Sequence, residues 1–307
     1  MNFQHFLGAL SGLAVGDALG TTLEFREPGS FEPLEDMVGG GPFRLKPGEW
    51  TDDTSMALCL AASLVEQDTF DPRDQMDRYL RWYREGYFSS TGTCFDIGNT
   101  VRGALERYER GDSDGFAGLL DPDTAGNGSL MRVAPVALRY AGSPERALRL
   151  AADSSKTTHG ARTAVDACRY FCGLLVGALQ GKEKEELLSP LFCPIPGFFD
   201  YEPLTCPIAV VAKGSFKEKM PPQIRGTGYV VESLEAALWA FHQSSTFREG
   251  ALLAVNLGND ADTTGAIYGQ IAGAFYGEDQ IPTSWLEKTA RIDEIRALAR
   301  GLYERSS

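Results

Sequence analysis

Apolar residues recur at helical spacing along most of the chain, and no stretch alternates persuasively between apolar and polar residues as a strand would. One segment differs from this pattern, because seven prolines fall between residues 181 and 227. We predict a long surface excursion with short helical pieces there. The fold class predicted is all-α, a compact orthogonal bundle of ten or more helices. The strongest helical patterns cover about 55–67, 72–85, 96–110, 144–153, 161–180, 232–243, 266–276 and 287–304.

The N-terminal stretch 6–23 is rich in Leu, Ala and Gly. No Lys or Arg precedes it and Asp17 interrupts it, so it does not have the layout of a signal peptide. It is also too polar and glycine-rich for a membrane span. Glycines recur every four residues, which predicts a buried helix packed closely through one face, with Asp17 capping or bonding inside that packing. These glycines are Gly8, Gly12, Gly16 and Gly20.

Two short segments, far apart in sequence, place Asp and Thr at the start of a helical pattern. The first is 50–54 (WTDDT) and the second is 258–265 (GNDADTTG). Ordinary N-capping explains either segment taken alone. If both converge, their acids repel unless cations lie between them, and oxygen ligands without His or Cys favour Mg²⁺ or Mn²⁺. The number of donors suits a dinuclear site. The candidate metal ligands are Thr51, Asp52, Asp53, Asp260, Asp262 and Thr263.

Other polar segments are candidates for substrate contacts, although each also has an ordinary structural explanation. Residues 88–100 form a small, polar loop entering a helix, with Asp96 in position to handle a proton or bind a cationic leaving group. Residues 126–129 (GNGS) precede a helix, where exposed backbone N–H groups hold anions. His159 lies in a turn rich in Gly and Thr, Tyr229 could stack on a base, and Glu24 follows the first helix. Capping, core packing and solvation are the alternatives for these residues.

The composition of the chain and its net charge exclude some classes of protein. The chain has 307 residues, of which 43% are hydrophobic, and a net charge of −13, so it can form a large core and is unsuited to binding a nucleic-acid backbone. Six scattered cysteines without a CxxC motif predict a reduced, cytoplasmic protein, with Cys168 and Cys172 in the core. We expect a single domain over 1–307 that acts without nucleic acid or membrane, and a monomer by default because no oligomer seam is evident.

An ordered set of motifs resembles the ADP-ribosylglycohydrolases, most closely the dinitrogenase reductase-activating glycohydrolase branch, which removes ADP-ribose from arginine. Each motif is weak by itself, whereas the set in this order is specific. The motifs are GLAVGDALG at 12–20, TDDT at 51–54, STGT at 90–93, FDIGN at 95–99, GNGS at 126–129, MR at 131–132, TH at 158–159, GTGYVV at 226–231 and GNDADTT at 258–264. Asn259 departs from the family pattern, where Gly is frequent.

The resemblance implies the family's all-α fold and two divalent cations, Mg²⁺ or Mn²⁺, on the six ligands named above. Glu24 matches an acidic position near the metals, and Asp96 matches an aspartate linked to catalysis in the arginine-specific branch. Four positions fall where the family contacts ADP-ribose: Asn127, Gly128, Ser129 and His159. The further candidates for binding the substrate are Thr91, Gly92 and Thr93 in the polar loop, and Tyr229.

The reaction implied is hydrolysis of the N-glycosidic bond between ribose C1″ and an arginine guanidinium of a modified protein. Asp96 or Glu24 would manage the protons or hold the departing guanidinium. The substrate side would be an ADP-ribosylated protein or a small ADP-ribosyl compound. The alternatives are hydrolysis of serine-linked ADP-ribose, poly-ADP-ribose or an ADP-ribose ester, a metal-dependent phosphohydrolase, and a catalytically silent ADP-ribose-binding protein.

Overall fold

The structure is a computed structural model that describes residues 1–67 and 69–306. The described residues form fifteen α-helices and four short 3₁₀ turns, and their only β pairing consists of three isolated bridges. The all-α prediction is therefore confirmed. The helices are α1 (Phe3–Gly20), α2 (Asp52–Glu66), α3 (Pro72–Glu85), α4 (Asn99–Glu109), α5 (Ala134–Arg139), α6 (Pro144–Lys156), α7 (Arg162–Leu179), α8 (Lys184–Leu187), α9 (Phe198–Tyr201), α10 (Cys206–Ala212), α11 (Val230–Gln243), α12 (Phe247–Val255), α13 (Ala261–Tyr276), α14 (Thr283–Lys288) and α15 (Ile292–Glu304).

Helices α1 and α13 pack antiparallel at the centre of the fold, and the predicted glycine face of α1 forms the contact. A Cβ atom built on Gly16 would lie 2.0 Å from the carbonyl oxygen of Gly265, and one on Gly12 would lie 2.4 Å from that of Gly269. No Cβ fits at such distances, so only glycine allows the two backbones to approach this closely. The antiparallel arrangement brings the C-terminal end of α1 beside the N-terminal end of α13.

Helix α1 with the turn that follows it, residues 3–23, is long and apolar enough to cross a membrane by length and composition alone. In the structure 94% of the window that passes this test is buried inside the protein. The segment is therefore placed as a core helix, in agreement with the prediction from its glycine spacing.

Several helix boundaries differ from the sequence predictions for a physical reason. Helices α2 and α13 begin at Asp52 and Ala261, inside the acidic segments rather than after them, because other parts of the chain bond to their first turns. The predicted helix 287–304 is broken, since Arg291 takes a left-handed conformation (φ 54°) between α14 and α15. The predicted excursion at 181–227 contains the three short helices α8, α9 and α10, as expected. Cys168 and Cys172 are buried, as predicted.

Candidate active site and metal centre

The two acidic segments converge, as the metal-site hypothesis requires. The N-terminal ends of α2 and α13 meet beside the C-terminal end of α1, and Thr51 lies at the centre of the junction. Its hydroxyl oxygen is 2.9 Å from Asp17 Oδ1, 3.1 Å from Asp53 Oδ2 and 3.4 Å from Asp262 Oδ2. Thr51 and Asp262, which are 211 positions apart in sequence, therefore lie within hydrogen-bonding distance of each other. The six candidate ligands of the sequence analysis lie in this one region of the fold.

Carboxylate oxygens approach one another closely enough to hold cations in two groups. Within each group the oxygens lie within 4.8 Å of one another, and the groups share Asp262. Burial, and then the negative charge of neighbouring acids, raises the pKa of Asp52 and Asp53 well above the usual range. The pKa of Asp262 is raised well above its usual range by burial and by Glu24. The two groups are Asp17, Asp53 and Asp262, and Glu24, Asp260 and Asp262.

One oxygen of this cluster, Asp53 Oδ1, is buried without a hydrogen-bond partner. A buried carboxylate oxygen in that state is costly, and a bound cation removes the cost together with the repulsion between the acids. The donors are carboxylates and hydroxyls, the ligand chemistry that suits Mg²⁺ and Mn²⁺. The residues present therefore fit a divalent-metal centre.

Asp17 has a supporting role, and the capping predicted for it is directed at α2 rather than at its own helix. Its Oδ1 accepts the Thr51 backbone N–H at 2.9 Å, and its Oδ2 accepts the Thr54 backbone N–H and hydroxyl at 3.0 and 2.6 Å. Asp17 thus caps α2 from another helix and fixes the orientation of the first acidic segment. The sequence carried one signal for this role, a carboxylate inside an otherwise apolar buried helix.

Glu24 and Asp96 lie at the edge of the acidic cluster, where the cleft opens. Glu24 is buried, its Oε2 accepts the Ala261 backbone N–H at 3.0 Å, and burial raises its pKa to about 8. Burial, with the negative charges of Asp17 and Asp260, raises the pKa of the half-buried Asp96 to about 7. Asp96 also has a left-handed backbone (φ 59°), which costs about 1 kcal/mol and which Asp tolerates better than most residues. Both carboxyls can exchange a proton near neutral pH.

A cleft of about 610 Å³ lies over the acidic cluster. Part of its lining, which we call the first wall, comes from residues 96–101, and another part, the second wall, comes from residues 126–128 with 227–228. The second wall is tied to the cluster, because Asn127 Nδ2 donates to Asp260 Oδ2 at 2.7 Å and the Asn127 backbone N–H donates to the Gly228 carbonyl at 3.1 Å. The volume is in the range of nucleotide-sized ligands.

A buried arginine that the sequence analysis assigned no role holds the second wall in place. The Arg132 guanidinium donates to the Gly128 carbonyl and to Thr158 Oγ1, the latter at 2.8 Å, and its Nε donates to Tyr79 Oη at 3.1 Å. Thr158 Oγ1 in turn lies 2.8 Å from His159 Nδ1. Burial, and then the charge of Arg132, lowers the pKa of His159 to about 3, so its imidazole is neutral in the cleft at physiological pH.

Most of the predicted site residues line the cleft, and the others have different positions. Glu24, Asp52, Asp96, Asn127, Gly128, His159, Asp260, Asp262 and Thr263 line it. Thr51 and Asp53 are buried among the acids rather than at the cleft surface. The exposed Thr91, Gly92, Thr93 and Tyr229 are outside the lining, and the buried Ser129 hydroxyl is 2.8 Å from Ser155 Oγ. The substrate contacts assigned to these residues stay predictions.

Asn259, the departure from the family pattern, has a left-handed backbone (φ 56°). Glycine adopts this conformation freely and Asn is among the residues that tolerate it best. The Asn259 carbonyl accepts the Phe25 N–H, and the Asn259 N–H donates to the Arg26 carbonyl, both at 2.7 Å. The substitution therefore fits the turn.

The chain is similar to known proteins over nearly its whole length. The family model of the ADP-ribosylglycohydrolases matches residues 2–307. The chain is 47% identical to ADP-ribosylarginine hydrolase Tri1 of Pseudomonas putida, over 97% of this chain and 78% of that protein. It is 34% identical to ADP-ribosyl-[dinitrogen reductase] glycohydrolase of Rhodospirillum rubrum, over 95% of this chain and 96% of that protein.

A solved structure gives the same result for the fold. A chain of an ADP-ribosylglycohydrolase-related protein complex superposes with a TM-score of 0.87 at 47% identity, covering 99% of both chains. The predicted resemblance is confirmed by sequence and by structure. The chain belongs to the ADP-ribosylglycohydrolase family of enzymes.

Proposed function

We propose that this ADP-ribosylglycohydrolase removes mono-ADP-ribose from arginine side chains of modified proteins by hydrolysing the N-glycosidic bond. The observation that carries the linkage is Asp96, a carboxyl held on the cleft wall beside the acidic cluster, where a departing guanidinium would find negative charge. The arginine linkage is also supported by the relatives from Pseudomonas putida and Serratia proteamaculans, both ADP-ribosylarginine hydrolases, which are 47% and 44% identical to this chain.

The proposal includes two divalent cations, Mg²⁺ or Mn²⁺. Six residues of the junction would hold them: Thr51, Asp52, Asp53, Asp260, Asp262 and Thr263. When bound, such ions supply positive charge that orients ribose hydroxyls and makes water more acidic. The unpartnered Asp53 Oδ1 and the packed carboxylates support their presence.

The protein's own groups then have separate parts in the reaction. A water oxygen bonds to ribose C1″ while the bond from C1″ to the guanidine nitrogen breaks, through a state with oxocarbenium character that nearby carboxylates stabilise. Glu24, in the carboxylate form that bound cations would favour, accepts the proton that the attacking water loses. The guanidine nitrogen takes up that proton as its bond to C1″ breaks, and the Asp96 carboxylate holds the guanidinium that departs.

The far end of the substrate is held by the second wall. The backbone N–H groups of Gly128 and Ser129 would bind a pyrophosphate, since that of Asn127 already donates to the Gly228 carbonyl, and the buried Arg132 adds positive charge behind that loop. His159 stays neutral and offers a hydrogen bond without adding charge. These contacts orient C1″ toward the acidic cluster.

The experiment is release of free ADP-ribose from a protein modified on arginine, with Mn²⁺ and with a chelator, beside a serine-modified control. We expect metal-dependent release from arginine and little from serine. Release from serine alone would replace the arginine assignment with the O-linked alternative. Release that survives complete chelation would contradict the metal centre.

A further inference from the structure

A second cavity, of about 620 Å³, lies beside Asp96. We name it the aromatic annex. Phe25, Asp96 and Ile97 line both spaces, so the annex adjoins the cleft at the position proposed for the leaving group. The lining of the annex includes Phe25, Phe43, Tyr83, Phe95, Asp96 and Arg102.

Three phenylalanines form a connected row in the annex. The ring centroids of Phe25 and Phe43 are 6.3 Å apart, and those of Phe43 and Phe95 are 5.3 Å apart, with the planes inclined at 71° and 55°. Phe25 and Phe43 belong to the connection between the first 3₁₀ turn and α2, and Phe95 belongs to the one between α3 and α4. Phe25 is 66% exposed and the other two are half-buried, so the rings present apolar faces to solvent instead of filling the core.

The backbone at this position is strained in a way that core packing does not require. Phe25 has φ 61° and Asp96 has φ 59°. For a bulky residue such as Phe this left-handed conformation is unusual and is typically found at functional sites. The Phe25 N–H donates to the carbonyl of Asn259, next to the proposed metal ligands, and the Asn259 N–H donates to the carbonyl of Arg26, so both bonds hold the chain at Phe25 in place. The strain keeps an exposed ring beside Asp96.

We propose that the aromatic annex is the acceptor-side subsite, which binds the methylene stem of the modified arginine and the adjoining peptide while Asp96 holds the guanidinium. This inference rests on the proposed arginine-linked function. Aromatic faces attract a guanidinium within about 6 Å and also pack against its apolar stem. The annex therefore combines a carboxylate for the charged head with rings for the rest of the side chain.

The charge distribution agrees with this orientation. Asp96 is half-buried, whereas Arg102 is exposed, so solvent screens the charge of Arg102 more. A guanidinium is therefore attracted to Asp96 more strongly than it is repelled by Arg102. The ADP-ribose moiety, which is anionic, does not need the annex, because the second wall of the cleft faces its pyrophosphate.

The test compares two substrates that carry the same ADP-ribosyl group. One is an arginine peptide and the other is methylguanidine, which has the guanidine but no stem or peptide. For the unaltered enzyme we expect kcat/KM to be higher for the peptide. In Phe43→Ala we expect the peptide value to fall about tenfold more than the methylguanidine value, mainly through KM, since one aromatic contact is lost. Phe43→Tyr should restore the preference.

Tyr201→Ala is the matched control, because Tyr201 is an aromatic residue that is 88% exposed and outside the lining of both cavities. It should keep the substrate preference of the unaltered enzyme. An unchanged preference in Phe43→Ala, with both substrates still hydrolysed, would overturn the annex assignment and leave the arginine function intact. If the unaltered enzyme hydrolyses neither substrate, the proposed function itself fails. Thermal melting of each variant identifies a loss that comes from misfolding.

Discussion

At the scale of single residues, Asp17 and Asp53 differ in how their oxygens are satisfied. Both oxygens of Asp17 accept hydrogen bonds from Thr51 and Thr54, whereas Asp53 Oδ1 is buried with no partner. We infer that Asp17 positions the surrounding residues and that Asp53 would bind a cation. The two roles predict different consequences for removing the charge.

We predict that Asp53→Asn abolishes tight Mn²⁺ binding and lowers kcat at least about a hundredfold, because a ligand and its charge are lost. The metal-free variant should be as stable as the unaltered protein or more stable by about 1 kcal/mol, since a buried unpaired charge has been removed. Calorimetric Mn²⁺ titration and urea unfolding with a chelator measure both effects. A variant that still binds two ions and turns over normally would contradict the ligand assignment.

Asp96→Asn should lower kcat on an arginine-linked substrate by about a hundredfold or more, in the range of losing one proton-transferring group or leaving-group contact. Its Mn²⁺ affinity should change little, because Asp96 is not among the proposed ligands. Single-turnover release of ADP-ribose gives the rate, and calorimetry gives the affinity. Normal turnover in Asp96→Asn would remove Asp96 from the mechanism.

We predict that apparent Mn²⁺ affinity falls as pH drops from about 8 to about 6. In the metal-free protein the pKa of Glu24 is about 8, and those of Asp52, Asp53 and Asp262 are raised well above their usual range, so protons compete with the ion for this cluster. Titrations in buffers of different ionisation enthalpy should show protons released on binding. Binding without proton release at pH 7 would contradict these shifts.

The same pKa shifts determine whether the stability of the metal-free protein rises or falls as pH increases. A carboxyl whose pKa is higher in the folded than in the unfolded protein stabilises the fold below the unfolded value, and that stability is lost as pH rises through the folded value. The metal-free protein should therefore lose stability as pH rises from about 5 to about 8, the range that ends at the pKa of Glu24. Urea unfolding with a chelator at several pH values measures this, and a rise in stability over that range would contradict it.

The sequence predicted nine of the residues that line the cleft, because motifs such as the two acidic segments are local patterns. It did not predict that Asp17 caps α2 or that Arg132 supports the second wall, because these contacts are made with segments remote in sequence. The Arg132 guanidinium joins Tyr79, Gly128 and Thr158, and no single stretch of sequence shows that grouping. It also could not show that the Ser129 hydroxyl lies beside Ser155. Such orientations depend on tertiary packing.

At the scale of elements, the antiparallel pair α1 and α13 determines where the acids meet. The spacing of glycines in α1 predicted close packing, but spacing alone does not identify the partner helix. Glycines on α13 provide the matching face, as Gly265, Gly269 and Gly273 lie opposite those of α1. Helix ends were predicted less well than helix positions, since caps such as Asp17 come from elsewhere in the chain.

We predict that Gly16→Ala destabilises the protein by about 3 kcal/mol, because its Cβ would collide with the Gly265 carbonyl and the helices would have to separate. Gly103→Ala in α4 is the matched control. There the nearest atom is the end of the flexible Arg107 side chain, at 3.3 Å, so the change should be neutral or stabilising by up to about 1 kcal/mol. Urea unfolding measures both. Equal effects would show that close backbone packing is not what Gly16 provides.

At the scale of the whole molecule, the proposed metal centre would join two segments that are far apart in sequence. Ligands at 51–53 and 260–263 share any ion that is bound, so binding should stabilise α1, α2 and α13 together. At a free Mn²⁺ concentration of one hundred times Kd the gain is about 2.7 kcal/mol per site. Hydrogen exchange should show added protection at the beginnings of α2 and α13. Protection limited to one of them would contradict a shared centre.

The junction of α1 with α13 also has a consequence for synthesis of the protein on the ribosome. Half of the metal ligands follow residue 259, so a nascent chain lacks the complete centre until α13 has left the exit tunnel. Until then the glycine face of α1 has no partner, and the acids at 51–53 are not yet surrounded by other carboxylates. The proposed centre, and the activity that depends on it, can therefore form only after α13 has been synthesised.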